Sequence, residues 1–160
     1  MRRTGSVAAM EVTVRRGTAE DAPALARLRW QWEVDEHGAT PDLDEATYLE
    51  NFTRWAAAHR ATHVPFVAEV DGVPAGMAWL MVSDRVPAAT RMHRRFGDVQ
   101  SVYVVPEHRN AGIGAKLMAA VLREAGGLEF VTVHSSARAI SMYRRAGFGH
   151  SARWLEVRSP

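Results

Sequence analysis

Residues 102–114 read Val-Tyr-Val-Val-Pro-Glu-His-Arg-Asn-Ala-Gly-Ile-Gly, which is a β-branched run, a proline that stops it and a glycine-rich turn. Apolar residues then recur at Ile113, Leu117 and Val121, the 3.6-residue period of an amphipathic helix. The N-terminus of a helix has backbone N–H groups without intrahelical acceptors and carries partial positive charge. The pattern therefore predicts a strand, a loop and a helix that together bind an anion such as a phosphate.

Two glycines and an arginine shape this predicted anion site. Gly112 and Gly114 remove side chains where a phosphate would approach the main chain, and Arg109 supplies a positive charge beside it. The spacing differs from two common phosphate motifs. It lacks the third glycine of the dinucleotide fingerprint, and it lacks the Gly-Lys-Ser/Thr of a P-loop.

The composition predicts a single soluble domain. The chain has 160 residues, of which 47% are hydrophobic, and no apolar run approaches the roughly 20 residues of a membrane-spanning helix. Twenty basic and eighteen acidic residues give a formal net charge of +2, which is too small to argue for nucleic acid binding. The absence of cysteine excludes disulfides and thiol catalysis, and it is compatible with a cytoplasmic location.

The order of predicted elements describes an α/β domain with a mixed sheet over residues 11–158. Residues 1–10 read as a disordered leader, because their apolar stretch is too short for a signal peptide, and Met10 is an alternative start. The predicted strands are 12–16, 65–70, 73–82, 98–105, 130–134 and 151–157. Helices are predicted from Thr18 and Asp21 through Trp32, over 44–59, after Gly112 and over 137–146, with a basic loop over 83–97.

Two blocks of sequence resemble the GNAT N-acetyltransferase superfamily. Arg109-x-x-Gly112-x-Gly114 is similar to its [Gln/Arg]-x-x-Gly-x-[Gly/Ala] signature, and residues 139–148, Ala-Ile-Ser-Met-Tyr-Arg-Arg-Ala-Gly-Phe, are similar to its Ala-Ile-x-Leu-Tyr-x-x-x-Gly-Phe block. The resemblance covers about residues 12–156. It implies the GNAT fold, a central mixed and twisted β-sheet flanked by about four helices, with a bulge that splays strands 4 and 5 apart to hold acetyl-CoA.

The resemblance also implies which residues hold acetyl-CoA as the co-substrate. Backbone groups of the fourth strand would bind the pantetheine arm, and the glycine loop would bind the pyrophosphate. Ser136 stands where relatives often carry Asn, so its shorter side chain is the expected contact there. The implied residues are Val102, Tyr103, Val104, Arg109, Asn110, Ala111, Gly112, Ile113, Gly114 and Ser136. No metal is expected, since the histidines lack metal-ligand spacing.

Tyr143 is the implied proton donor. A phenol has a pKa near 10 and a thiol one near 8.5, so tyrosine is protonated at neutral pH and can protonate a departing thiolate. The alternative is an aromatic ring that only packs on its helix.

The identity of the base stays open. Strict alternation places Asp98, Gln100, Val102 and Val104 on one face of the strand. Many relatives carry Glu where this chain has Gln100, and glutamine cannot accept a proton. The alternatives are Asp98 acting through water, Glu69, Glu33 and deprotonation by solvent.

An acidic segment gives an indication of the acceptor. No Lys or Arg lies between Arg29 and Arg54, whereas seven acidic residues do: Glu33, Asp35, Glu36, Asp42, Asp44, Glu45 and Glu50. The resemblance places this segment on a wall of the acceptor cleft, where it would attract a cationic amine beside tryptophans. The expected substrate-binding residues are Trp32, Glu33, Glu36 and Gln100. The alternative is a solvated helix face with its tryptophans in the core.

A second charged segment carries the opposite sign. The arginines at 85, 91, 94 and 95 would meet an anionic acceptor or the 3′-phosphate of CoA, unless they are only solvated.

The resulting hypothesis is an acetyl-CoA-dependent N-acetyltransferase that transfers acetyl to a primary amine of a small molecule by direct attack on the thioester. Two alternatives stay open, a protein or peptide N-acetyltransferase and a catalytically silent acyl-CoA-binding sensor domain. The expected partner is a small-molecule amine, without nucleic acid or membrane. A homodimer is compatible with the sequence, which does not determine the oligomeric state.

Overall fold

The structure, a computed structural model, describes residues 9–159. The leader predicted over residues 1–10 lies outside this range except for residues 9 and 10, which are exposed and belong to no helix or strand. The described chain forms five strands: β1 (Val12–Arg16), β2 (His63–Val70), β3 (Val73–Asp84), β4 (Arg95–Val104) and β5 (Val131–Val133). They lie in the order β1-β2-β3-β4-β5. The first three pairings are antiparallel and the last is parallel.

Four α-helices accompany the sheet within the same range: α1 (Ala22–Trp30), α2 (Glu45–His59), α3 (Ile113–Glu124) and α4 (Ile140–Arg145). A π-helical turn, Gln31–Glu36, continues α1, and 3₁₀ turns cover Ala19–Asp21, Pro106–His108 and Ala137–Ala139. The predicted α/β architecture with a mixed sheet and four helices is confirmed.

Local sequence signals account for where two helices begin. The Asp21 carboxylate accepts a hydrogen bond from the Thr18 backbone N–H at 2.7 Å, ahead of α1. The Asp44 side chain accepts from the Thr47 backbone N–H at 3.0 Å and caps α2. Both satisfy donors that have no partner inside the helix.

Helices cover both faces of the sheet. On β3, Trp79 contacts Phe52 of α2, with ring centroids 5.8 Å apart. A Cβ on Gly76 would lie 3.4 Å from Leu117 of α3. Residues three apart in a strand point to opposite faces, so α2 and α3 lie on opposite sides of the sheet. The most deeply buried side chains are Leu25, Val67, Met77, Leu80, Ile113, Leu117, Met118 and Val121.

A bulge in β4 separates it from β5. Gln100 stands opposite Trp79 and Tyr103 stands opposite Met77, so β4 contains one more residue than β3 over this interval. Ser101 within it has φ +54°, a left-handed conformation that is uncommon for serine. β5 pairs with β4 only at Gly97–Val99. The implied bulge and splay are confirmed, and within residues 9–159 no strand lies beside residues 100–104 on the β5 side.

The same bulge changes which side chains share a face. Asp98 and Gln100 stand opposite Met81 and Trp79, on the α2 side, as alternation predicts. The extra residue then brings Tyr103, rather than Val102, onto this side. The prediction that Val102 and Val104 continue the face of Gln100 is therefore wrong, because alternation breaks at a bulge.

The start of β4 and a strand predicted near the C-terminus differ from the prediction. β4 begins at Arg95, inside the predicted loop, because Arg95 pairs with Asp84 and extends the ladder. The strand predicted over 151–157 does not form, and Leu155 and Val157 are 90% and 94% exposed. An alternating pattern becomes a strand only beside a partner edge, and the short β5 does not pair with this segment.

Within residues 9–159, no helix is both long enough and apolar enough to cross a membrane. Over the same residues, no cluster of three or more His, Asp or Glu side chains could hold a metal ion.

Candidate active site

The glycine loop presents free main-chain donors to solvent. Gly112 precedes α3 with φ +78°, and no atom lies within 4 Å of the place where its Cβ would stand. The Lys116 backbone N–H donates to the Gly112 carbonyl at 3.1 Å. The N–H groups of residues 113–115 precede that first helical bond, so they have no acceptor inside α3. Open space beside these N–H groups is what an anion requires.

Gly114 has a packing role that the sequence did not indicate. A Cβ there would lie 2.8 Å from Sδ of Met142, which belongs to α4. The missing side chain therefore lets α4 approach the N-terminus of α3. This close approach brings Tyr143, the neighbour of Met142, towards the end of α3 that carries the glycine loop.

Arg109 is engaged by protein groups rather than free. Its Nε donates to the Val104 carbonyl at 2.9 Å, and its Nη2 donates to Oε2 of Glu36 at 2.7 Å. The Tyr103 hydroxyl donates to the other oxygen of Glu36. Burial works to raise the pKa of Glu36, but the hydrogen bonds from Tyr103 and Arg109 outweigh it and lower that pKa. Burial, and then the bond to Glu36, raises the pKa of Tyr103.

The residues implied in acetyl-CoA binding surround one gap. Val102, Tyr103 and Val104 lie on β4 beyond its pairing with β5. Asn110 and Ala111 are exposed on the loop that leads to Ile113. Ser136 follows β5 in the chain, and its hydroxyl makes no capping bond to the turn it precedes.

Tyr143 has an uncommitted hydroxyl. The residue is 7% exposed and its ring packs edge-on against Phe148, with centroids 5.6 Å apart. Among residues 9–159 its hydroxyl has no hydrogen-bond partner, yet none of the buried side-chain oxygens in that range is left unsatisfied. The hydroxyl is therefore accessible to solvent. Tyr143 also lines a cleft of about 790 Å³ beside β5, and the lining of this cleft includes no residue of β4 or of the glycine loop. Burial raises the pKa of Tyr143, so the phenol is protonated at neutral pH.

A hydrogen-bonded trio lies where β4 and β5 last pair. Asp98 accepts from Nε2 of Gln100 at 3.1 Å and from Oγ1 of Thr132 at 2.7 Å. The Gln100 amide thus turns its nitrogen towards Asp98, and its oxygen is left as an acceptor. Sequence reasoning missed Thr132, since only the parallel register of Asp98 with Thr132 reveals it.

The other candidate bases lie elsewhere or are paired. Glu69 stands on β2 and accepts from Arg15 of β1 at 2.9 Å, two strands away from β4. Glu33 forms an ion pair with Arg29.

Much of the acidic segment is neutralised by arginines. Glu33 pairs with Arg29, Glu36 with Arg109, and Glu45 with Arg27 at 2.7 Å. Asp44 caps α2 instead. Among the described residues, three exposed acids of this segment have no ion-pair partner: Asp35, Asp42 and Glu50.

Arg29 is a site residue that the sequence did not suggest. Its Nη1 donates to Oγ of Ser101, the bulge residue, at 3.0 Å. Its guanidinium also lies over the Trp32 ring, 4.5 Å from the centroid. Trp32 in turn stacks on Tyr103, with centroids 6.2 Å apart. Trp32 is thus placed beside the splayed part of β4.

The basic loop is held by one carboxylate. Glu129 accepts from Arg94 at 2.7 and 3.0 Å, from Arg91 at 3.2 Å and from Arg85. The hydrogen bonds from Arg94 and then Arg85 lower the pKa of Glu129 to about 2, against the effect of burial. Three of the four arginines considered for an anionic ligand are therefore used within the protein.

Known proteins share this fold and family. The model of the Acetyltransferase (GNAT) family matches residues 24–148. No curated protein sequence matches the chain. A predicted acetyltransferase of Clostridium acetobutylicum, solved with acetyl-CoA, has a TM-score of 0.74 at 22% identity, over 92% of this chain and 96% of that one.

Two further solved structures are similar. A GCN5-related N-acetyltransferase of Ralstonia eutropha has a TM-score of 0.68 at 24% identity, over 92% of this chain and 98% of that one. An aminoglycoside acetyltransferase from an uncultured soil metagenomic sample, in complex with sisomicin, has a TM-score of 0.71 at 17% identity, over 93% and 95%. With a family match over most of its length and a splayed mixed sheet, the chain belongs to the GNAT family of acetyltransferases, which use acetyl-CoA as co-substrate.

Proposed function

We propose that the protein transfers the acetyl group of acetyl-CoA to a primary amine of a small, cationic molecule by direct attack on the thioester. The observation that carries this proposal is the part of β4 beyond its pairing with β5, which lies along the chain between the Asp98–Gln100 pair and the glycine loop with its open space at Gly112. This arrangement suits a ligand with a strand-like amide arm and an anionic end.

The main chain would bind most of acetyl-CoA. The pantetheine amides pair with backbone groups of Val102–Val104 in the manner of an added strand. The pyrophosphate lies at the glycine loop of residues 110–114, against the free N–H groups at the start of α3, where Gly112 leaves room. Ser136 approaches from the β5 side with its unused hydroxyl.

The chemistry needs one bond to form and one to break. The neutral amine attacks the thioester carbonyl, and a backbone N–H of β4 stabilises the oxyanion. As the C–N bond forms and the C–S bond breaks, the thiolate takes a proton from Tyr143. The amine loses its proton to a water molecule that the Gln100 side-chain oxygen would hold beside Asp98. The Gln100–Asp98 hydrogen bond therefore supports deprotonation through water over direct proton transfer from the amine to a carboxylate.

Negative charge on the segment from α1 to α2 supports a cationic acceptor. Asp35, Asp42 and Glu50 have no arginine partner in the described chain. Their field would raise the local concentration of cationic amines. The similar structure in complex with sisomicin, an acetyltransferase of aminoglycosides, is compatible with this class and shares only the fold. A silent sensor would need no proton donor, so the free hydroxyl of Tyr143 favours turnover.

An acceptor screen tests the proposal. The chain has no cysteine, so a thiol reagent detects released CoA without background from the protein. We expect release with aminoglycosides or polyamines and little with anionic amino acids. Exclusive reaction with peptides would indicate a protein N-acetyltransferase. Tight CoA binding without release for any amine would indicate a sensor.

A further inference from the structure

The π-helical turn at Gln31–Glu36 ends in a residue that joins three parts of the site. Turns of this kind are rare and often occur where function requires them. Here the turn extends α1 beyond Trp30 and ends with Glu36, just before the exposed connection to α2.

The Glu36 carboxylate contacts both the splayed strand and the glycine loop. One oxygen accepts from the Tyr103 hydroxyl of β4, and the other accepts from Nη2 of Arg109 at 2.7 Å. Arg109 also donates through Nε to the carbonyl of Val104, where β4 ends. The side chains of Glu36 and Arg109 are 19% and 28% exposed, so water screens this pair less than a surface pair.

We propose that Glu36 is a positioning residue for acetyl-CoA, which acts by holding Arg109 and Tyr103 in place before the co-substrate binds. This proposal rests on acetyl-CoA binding at the glycine loop. The N–H of Nε and one N–H of Nη2 are engaged, and Nη1 has no acceptor within residues 9–159, so its N–H groups are available to a phosphate oxygen. Glu36 therefore sets the orientation of the arginine rather than competing with the phosphate for it.

Two possible roles of Glu36 predict opposite changes in CoA affinity when its carboxylate is removed. If Glu36 only neutralised Arg109, its loss would free a positive charge and tighten CoA binding. If Glu36 orients Arg109 and the end of β4, these groups are less ordered without it. CoA binding must then order them, which costs conformational entropy, and the affinity for CoA falls.

Glu36→Gln separates these roles, because it removes the charge and preserves the shape. We expect the dissociation constant of CoA, measured by calorimetry, to rise by about tenfold, the size of one charge-assisted hydrogen bond. Glu124→Gln is the matched control, since Glu124 pairs with Arg16 at 2.9 Å near the other end of α3. It should leave CoA affinity unchanged.

A double-variant cycle assigns the effect to the contact. In the background of Arg109→Gln, the substitution Glu36→Gln should have little further effect on CoA affinity. In the ligand-free protein, Glu36→Gln should speed hydrogen exchange in residues 102–112, and Glu124→Gln should not.

Three outcomes would overturn the proposal. Tighter CoA binding by Glu36→Gln would show a neutralising role. Unchanged affinity with a lower melting temperature would show only a structural brace. Equal effects of Glu36→Gln with and without Arg109 would show that the contact is not responsible. Wild-type protein that fails to bind CoA would instead refute the proposed function, while the exchange measurement would still report on the contact itself.

Discussion

Gly112 shows how a single residue serves the site in two ways. Its φ of +78° places it in the left-handed region, and open space lies where a side chain would stand. Glycine adopts this conformation without a steric penalty and leaves the adjacent N–H groups accessible. The backbone conformation and the proposed binding of CoA therefore depend on the same position.

Gly112→Asp should weaken CoA binding on the order of 100-fold in calorimetry, because it places a carboxylate beside the pyrophosphate. Gly112→Asn is the matched variant, since Asn tolerates left-handed conformations about as well as Asp and has no charge. It should lose much less affinity. Gly127→Asp controls for backbone strain, because Gly127 has φ +91° and equally open space at the other end of α3. Unchanged CoA affinity in a folded Gly112→Asp protein would refute the loop assignment.

Tyr143→Phe should keep CoA affinity and lower kcat by on the order of 10²-fold, because only the proton donor is removed. Burial raises the pKa of Tyr143, so the phenol stays protonated through the alkaline range in which the amine loses its proton. The rate of the wild type should therefore rise with pH up to the amine pKa and show no fall near pH 9. An acetyl thioester with a more acidic thiol should reduce the difference in kcat between Tyr143→Phe and the wild type, because its thiolate needs less help from a proton donor. A wild-type kcat in the variant would leave Tyr143 with a packing role.

At the scale of elements, signals that act within a few residues of each other were sufficient for prediction. The Asp44 cap starts α2, and the turn at Asp71 and Gly72 joins β2 to β3 with φ of +50° and +79°. The glycine loop and the helix after it also follow from local sequence. The signals for these elements lie within a few residues of one another, so the local sequence is sufficient to predict them.

Features that depend on distant partners could not be predicted. Glu36 and Arg109 are 73 residues apart and meet through the π-helical turn, which no periodicity indicated. Asp98 meets Thr132 through a register that only the folded sheet defines. Glu36 was predicted to bind the acceptor, which stays a prediction, and the contacts of its carboxylate with Tyr103 and Arg109 were not predicted.

The loop between β3 and β4 depends on Glu129. Glu129→Gln should speed hydrogen exchange at the backbone N–H groups of Arg85 and Ala88, which bond across this loop. Asp84→Asn is the control, because Asp84 adjoins the loop and has no ion-pair partner among residues 9–159. Loop exchange that is equally slow in both variants would show that backbone bonds alone hold the loop.

The ion pairs of Glu129 with the arginines of this loop should weaken at low pH. The pKa of Glu129 is lowered from 4.5 to about 2, so its contribution to stability is fully present above pH 4.5. That contribution is lost as the pH falls from 4.5 towards 2. Loop exchange corrected for its intrinsic pH dependence should therefore accelerate over this interval in the wild type and not in Glu129→Gln.

At the scale of the molecule, charge is distributed unevenly. The formal net charge is +2, yet the segment from α1 to α2 has three unpaired acids in the described chain. The combined substitution Asp35→Asn, Asp42→Asn, Glu50→Gln should raise KM for a cationic acceptor several-fold at low salt. The difference should shrink at 0.5 M salt, where the Debye length is only a few ångströms. An unchanged KM at low salt would make these acids a solvated surface.

The sheet itself is incomplete between β4 and β5. Only Gly97–Val99 pairs with β5, so the C-terminal part of the chain, with α4, connects to the sheet through a short ladder. A ligand that occupies the gap bonds to both sides and stabilises the folded state by mass action. At 100 times its dissociation constant, this amounts to about 2.7 kcal/mol.

Because acetyl-CoA would occupy the place of a missing strand, we expect the resistance of this enzyme to proteolysis to depend on its own co-substrate. Limited proteolysis should cut residues 131–159 first in the free protein, and acetyl-CoA should slow that cut far more than it slows cleavage within α2. Equal protection of both regions would indicate that the molecule opens as one unit. In a cell with little acetyl-CoA, the enzyme would then lack its co-substrate and would also be degraded faster. Its abundance would therefore follow the supply of acetyl groups.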